Sequence, residues 1–387
     1  EGYRARVRAD VALSARILER ELGVAPRVVT WPYGAHSATA RDAAAEVGMT
    51  ISLSLAPRET QLEQVPTLIG RELIVANPDL VRFADFFLDE PVVPTLRAAQ
   101  VRLDDVYHAD PAEQERRLGR LLDRIKALGI SHVFLQAFVD ADGDGIAKAV
   151  YFPNRHLPVR ADLFSRTAWQ LKTRSNVKVY AWLPVTGFPD SSPALVSEIY
   201  ADLGRHASFD GLHFQEPITR NELARSARTP AAISPDITAE LARVVRLHRP
   251  GIRTSRALVL PTAPGQRNVV ELATDVAEIL DQHDFVTLIL KPGRSRRGWR
   301  REPLADLVEA MTTTRPDALD RAVFHLQTEI RPDRKRVPSP KVRNLLEDLQ
   351  VLGVRHLAYY PDDFLQDEPR LADLRPGISL AENLGSE

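Results

Sequence analysis

The chain has 387 residues, 44% hydrophobic and 27% charged, with 51 Lys plus Arg against 52 Asp plus Glu. That length exceeds one ordinary core, and the formal net charge of -1 offers no general field for nucleic acid or an anionic membrane. No apolar run is long enough to span a bilayer, and the absence of cysteine excludes disulfides and thiolate metal sites while leaving the redox compartment open.

The chain starts at Glu1 with neither Met nor a signal peptide, which reads as a fragment or a processed product. Ala5 to Leu22 carries apolar residues at helical spacing (Val7, Val11, Leu13, Ile17, Leu18, Leu22) and stops at Gly23. Val28 to Trp31 is a predicted strand, and Ser37 caps a predicted helix to Val47. Thr50–Leu55 and Glu72–Ala76 read as strands, and Asn77-Pro78-Asp79 starts a helix to about Leu88. This is βα material, short of a whole domain. Trp31-Pro32-Tyr33-Gly34 reads either as an aromatic wall on a groove or as a strand end closed by a turn, and the turn is the simpler reading. His36, a lone histidine, reads as solvated or structural.

Asp89 to Ala98 has two prolines and reads as a linker. A regular alternation follows. The predicted strands are Val101–Val106, His132–Phe138, Lys178–Leu183, Phe209–Phe214, Thr254–Leu260, Phe285–Leu290, Ala322–Leu326 and Arg355–Tyr360. Helical segments separate them. The clearest has Asp110 as cap, Pro111, a stripe of Leu118, Leu121, Leu122, Ile125 and Leu128, and Gly129 as its stop. Ser192-Pro193, Ser234-Pro235 and Ser339-Pro340 start three more, and Pro250-Gly251 and Gly353 stop two. Eight strand–helix units predict a (β/α)₈ barrel, with a doubly wound sheet as the alternative.

In such a barrel, chemistry belongs at the C-terminal strand ends. These ends hold Asp104 and Asp105; Gln136 and Asp140; Trp182 and Pro184; Gln215 and Glu216; Arg256; Lys291; His325 and Gln327; and Tyr359, Tyr360, Asp362 and Asp363. Aromatic faces stack on sugar rings while carboxylates and amides bond hydroxyls, so the mix suits a carbohydrate better than a phosphate ester. Glycoside hydrolysis needs a proton donor and a second carboxylate or its equivalent. Glu216 is the first choice for the acid, with Phe214 and Pro217 as apolar neighbours that would raise its pKa; a surface Glu is the alternative. Asp104 and Asp105 are candidates for the second carboxylate or for substrate binding.

Asp140-Ala-Asp142-Gly-Asp144-Gly resembles the start of a calcium loop, but Tyr151 stands at the twelfth position and Lys148 at the ninth, so a polar turn is preferred. No His-Glu-x-x-His motif occurs, and neither a P-loop nor a GxGxxG follows a strand. Arg294 to Arg301, basic with one Trp, reads as a solvated loop rather than a phosphate site, and no nucleic-acid partner is expected.

The block LQAFVDADGDGIAKAVYFPNRHLPVRADLFSRTAWQLKTRS (Leu135 to Ser175), VYAWLP (Val179 to Pro184), FDGLHF (Phe209 to Phe214) and YYPDDF (Tyr359 to Phe364) resemble the C-terminal domain of the bacterial poly-β-1,6-N-acetyl-D-glucosamine N-deacetylase (PgaB) family. RVVTWPYGAH (Arg27 to His36) and ELIVANP (Glu72 to Pro78) resemble the end of that family's deacetylase domain. The resemblance implies residues 1–88 as the end of a deacetylase domain, 89–98 as linker, 99–376 as a glycoside-hydrolase-like (β/α)₈ domain and 377–387 as tail. It implies processing of a biofilm exopolysaccharide in the periplasm, at the outer membrane, with an export pore as partner and no transmembrane segment in this chain. It also implies a divalent metal in the complete deacetylase domain, on an Asp-His-His set that would precede residue 1; this chain is expected to bind no such metal. Where the family carries an acidic run after the fourth strand, this chain has Gln215-Glu216-Pro217, and His325 stands in the place of a Glu. The basic Lys291–Arg301 loop would repel a cationic, partly deacetylated polymer. The resulting expectation is Glu216, Asp105 and His325 as catalytic residues. Trp182, Tyr359 and Tyr360 would stack on sugar, and Asp104, Gln136, Gln327, Asp362 and Asp363 would bind hydroxyls or amines. The alternatives are a non-catalytic binding or export module and a hydrolase of another sugar.

Overall fold

Eight strands, each followed in sequence by its neighbour in space, close into one parallel barrel. They are β4 (Arg97–Val101), β5 (His132–Gln136), β6 (Lys178–Leu183), β7 (Gly211–Phe214), β8 (Arg253–Val259), β9 (Phe285–Leu290), β10 (Ala322–Gln327) and β13 (His356–Tyr360), with β13 pairing back onto β4. The computed structural model describes residues 2–55, 68–71, 95–216, 235–261, 268–292, 301–330 and 335–380. The expected Glu72–Ala76 strand, the helix from Asn77, Pro217, Ser234 and nearly all of the basic Arg294–Arg301 segment lie outside the described residues. The chain divides into two units, Glu1–Val92 and Val93–Glu387.

Most barrel strands are covered on both faces, and several of them read as near-continuous apolar runs. Every residue of Phe285–Leu290 is buried. The helices lay one stripe on this wall. Pro111–Leu128 buries Leu118, Leu121, Leu122, Ile125 and Leu128; Asp110 accepts from the Ala112 N–H at 3.0 Å, and Gly129 ends the helix at φ 62. Asn268 caps Val269–Gln282 in the same way, accepting from Val270. At Ser339–Val351 the serine is the first helical residue, and its hydroxyl accepts from Arg370 instead.

The first strand corrects the sequence reading. It spans Arg97–Val101, and the expected Val101–Val106 is a strand end followed by a helical turn, Leu103–Val106. Arg97 and Ala98, assigned to the linker, are wall residues. The sequence signal fails because the strand is built of Arg, two Ala and Gln, all buried. The lower barrel interior is filled by Leu96, Ala98, Phe134, Tyr180, Phe285, Val323 and Ala358.

The N-terminal unit has a helix, Gly2–Leu22, and a parallel sheet of β1 (Val28–Thr30), β2 (Ile51–Ser54) and β3 (Leu68–Gly70). Ser37 caps Ala38–Ala45, accepting from Ala40 at 3.1 Å. Trp31, Ala40, Ala44 and Met49 form a small core, against which Val7, Val11 and Ala15 pack. Trp31 is buried rather than displayed, and Pro32–Gly34 is the turn.

Candidate active site

All eight strands point their C-terminal ends to one mouth, and β4 brings Asp104 and Asp105 there on its helical turn. The two carboxylates have different surroundings. Asp104 is a hub: it accepts from Gln136 Nε2 (3.0 Å), the Asp140 N–H (3.0 Å) and the Tyr151 hydroxyl (2.6 Å), with Arg160 at 3.8 Å. Arg160 lies 4.3 Å over the Tyr107 ring. Asp104 therefore ties β4 to the loop after β5.

Asp105 accepts both arms of Arg102, at 2.8 and 3.1 Å. Burial pushes its pKa up; Arg102 opposes the rise, while Asp363 and Asp104 add to it. The group holds its proton to higher pH than an exposed carboxyl. For Arg102, burial alone favours the neutral form, but Tyr360, Asp105 and Glu329 outweigh it and raise the pKa.

Glu216 follows β7. Its Oε1 accepts from the Val185 and Thr186 N–H groups, at 2.7 and 3.0 Å, in the loop after β6. Gly187 makes that loop possible: a Cβ there would lie 2.7 Å from the Gly145 carbonyl and 3.4 Å from Glu216 Oε2. Beside the expected apolar neighbours, Glu216 thus has on one side a pair of backbone donors.

Trp182 ends β6, donates Nε1–H to the Gln215 carbonyl at 2.8 Å, and meets Tyr360 and Phe138 edge to face at centroid distances of 5.6 and 5.0 Å. Trp182 and Tyr360 are 3% and 4% exposed, so the aromatic layer is packed into the mouth's floor. Asp105, Trp182, Glu216 and Tyr360 thus belong to one connected end of the barrel. Asp363 also lies there, bonded to Arg336 at 2.8 Å.

Two expected substrate ligands point elsewhere. Tyr359 is fully buried on the outer side of β13, and its hydroxyl donates to Asp362 at 2.8 Å. Asp362 in turn accepts from Arg124 Nε at 2.6 Å. Burial raises the Asp362 pKa, against the pull of Arg124. His325 and Gln327 face inward on β10 below the aromatic layer, both buried. Burial, with His213 nearby, lowers the His325 pKa to about 3, so the ring is neutral at ordinary pH.

Sequence reasoning missed Arg102 and Glu329. Glu329, on β11 (Glu329–Ile330), is 2% exposed, 3.8 Å from Arg336 of β12 (Lys335–Arg336), and acts on Arg102. Alternation along His325, Gln327 and Glu329 was the available signal. Among the described residues, only Asp140, Asp142 and Asp144 bring three acidic or histidine donors together, and Lys148 Nζ already sits 2.8 and 2.5 Å from Asp142 and Asp144. They do not fit a deacetylase's Asp-His-His set.

A parallel (β/α)₈ barrel with carboxylates and aromatics gathered at its C-terminal mouth defines a glycoside-hydrolase-like domain. The family model described as "GHL13: Hypothetical glycosyl hydrolase family 13" matches residues 100–194 and 219–360. The poly-beta-1,6-N-acetyl-D-glucosamine N-deacetylases of Escherichia coli K12 and O157:H7 are each 30% identical, over 98% of this chain and 66% of their own length. The PgaB (BpsB) glycoside hydrolase domain of Bordetella bronchiseptica is 33% identical, with a TM-score of 0.62 over 74% of this chain and 99% of that domain. The chain belongs to the PgaB family, through its GHL13 domain. It spans just under two thirds of the length of those curated relatives.

Proposed function

We propose that this chain processes poly-β-1,6-N-acetyl-D-glucosamine, its barrel binding and hydrolysing the partly deacetylated polymer. The observation that carries the reading is the pairing of two differently held carboxylates at one mouth: Asp105, whose pKa burial raises, and Glu216, held by two backbone N–H groups. Glycoside hydrolysis asks for one carboxyl that donates a proton and one that stays ionised. The assignment is Asp105 as proton donor and Glu216 as the ionised partner, a reversal of the acid role expected for Glu216. Trp182 and Tyr360 form the floor on which the sugar rests, and Asp363 binds hydroxyls or amines at the rim. The N-terminal unit is the end of a deacetylase domain on this reading, the protein works in the periplasm at the outer membrane, and an export pore is its partner. The family resemblance supports these last three.

The test is incubation of the chain with partly deacetylated poly-β-1,6-N-acetyl-D-glucosamine oligomers, with products read by mass spectrometry. Shorter oligomers are expected, and Glu216→Gln and Asp105→Asn should each lower the rate about 10²–10⁴-fold. Binding without chain shortening by the unmodified protein would overturn hydrolysis in favour of a binding or export module.

A further inference from the structure

Beneath Trp182 and Tyr360 the barrel interior changes character. Below lie Phe134, Tyr180 and Phe285; between the two layers the inward positions of β4, of β7 and the residue after it, and of β10 carry Gln100, His213, Gln215, His325 and Gln327. All five are at most 3% exposed. Protein partners satisfy little of this chemistry. His213 Nε2 bonds Gln215 Oε1 at 2.9 Å. Both polar atoms of Gln100, both ring nitrogens of His325, His213 Nδ1, Gln215 Nε2 and Gln327 Oε1 have no hydrogen-bond partner among the described residues. In folded proteins roughly nine in ten or more buried polar groups are paired, because leaving one unpaired forfeits its hydration, and here seven such atoms gather on five residues.

The unpaired set also specifies what it would take. It contains donors (the Gln100 and Gln215 amides) and acceptors (the Gln100 and Gln327 carbonyls); the neutral His325 ring adds one of each, and His213, whose Nε2–H donates to Gln215 Oε1, adds the acceptor Nδ1. None of the five carries a formal charge, since burial keeps His213 and His325 neutral. An ion would have no counter-charge among these residues. The matching guest is small, uncharged and able both to give and to accept hydrogen bonds. Internal waters of this kind make about three bonds each to otherwise unsatisfied groups.

We propose that Gln100, His213, Gln215, His325 and Gln327 form an internal water-binding site that supports the aromatic floor from below. Tyr360 lies parallel above His325, at 6.5 Å and 25°, and Trp182 hangs from the Gln215 carbonyl. A water bridge between His325 and the Gln215 amide would therefore brace both rings. His325 is on this view a positioning residue, not an acid–base group.

The experiment is a high-resolution crystal structure of the full chain together with the variants His325→Leu and Gln100→Leu. The site predicts ordered solvent peaks within hydrogen-bond distance of His325, Gln100 and Gln327. It predicts a lower melting temperature for both variants, because each leaves the bound waters short of a partner. A dry chamber in the crystal, with the leucine variants melting at or above the parent temperature, would overturn it. If a variant fails to fold, water-to-amide cross-relaxation at Gln100 and Gln215 in the unmodified protein decides the same question: contacts with long-lived water support the site, and their absence ends it.

Discussion

Arg124 and Asp362 meet 238 residues apart in sequence, with side chains 6% and 0% exposed. Arg124 also donates to Asp367 at 2.6 Å and to the Pro369 carbonyl at 2.7 Å, so one guanidinium holds the whole turn after β13. Removing one partner of a buried pair leaves the other charge desolvated and alone, which costs about 3–5 kcal/mol. Arg124→Met should therefore lose stability on that scale in urea unfolding, and Arg124→Met/Asp362→Leu should recover part of it. A single-variant loss below about 1 kcal/mol, the size of an exposed pair, would mean that solvent screens the site. The same turn shows what the sequence held and what it hid. Tyr359 and Tyr360 are neighbours on a strand, so only one can face the mouth; period-two alternation carried that information. Arg124 as the partner of Asp362 was not legible, because no local pattern marks a contact at that separation. The setting of Glu216 was only partly legible for a related reason: its sequence neighbours are apolar, but two hydrogen-bond donors to it come from the loop after another strand.

Elements with local signals were legible nearly to the residue. Asp110 and Gly129 bracket their helix as expected, because a cap and a left-handed stop act within one turn. Losing the cap in Asp110→Ala should cost about 1 kcal/mol, read as a lower urea midpoint with an unchanged slope. The β4 strand was not legible, since its burial comes from neighbouring strands and not from its own composition. Gly211 at the start of β7 is a sharper case of tertiary control. A Cβ there would lie 2.6 Å from the Tyr180 ring and 2.7 Å from the Arg253 carbonyl. Tyr180 fills the lower barrel and cannot retreat without displacing Phe134, 5.8 Å away between ring centroids, or His132 at 5.3 Å. Gly211→Ala should destabilise by about 1–3 kcal/mol through overpacking. Gly119→Ala, in a helix with open space at the same test position, should be neutral or slightly stabilising, and equal effects from the two would refute the steric account.

At the scale of the whole molecule, five of the ten histidines are buried in the barrel domain: His132, His213, His283, His325 and His356. Burial lowers the pKa of His132 and His325 to about 3 and of the other three to about 4. His356 shows why the neutral form is built in. Its Nδ1 accepts the Leu96 N–H at 2.8 Å while Nε2 donates to the Asp320 carbonyl at 2.7 Å, so a second proton would expel the Leu96 bond. The unfolded chain takes protons on these rings near pH 6.5, and the folded chain resists until about pH 4 or lower. Their contribution is thus complete above pH 6.5 and is lost as pH falls through the window between 6.5 and 4. Asp105 and Asp362 act oppositely, because burial raises their pKa and the folded state binds their protons more readily than the unfolded chain does. The five histidines favour proton uptake by the unfolded chain and the two carboxyls oppose it, so stability falls with falling pH by less than the histidines alone would give. Urea unfolding at pH 7, 6 and 5 should show a clear loss over the first interval and a steeper one over the second. Equal stability at pH 7 and pH 5 would mean that bulk solvent, and not a few bound waters, surrounds these rings and that the barrel interior is far more open than its packing indicates.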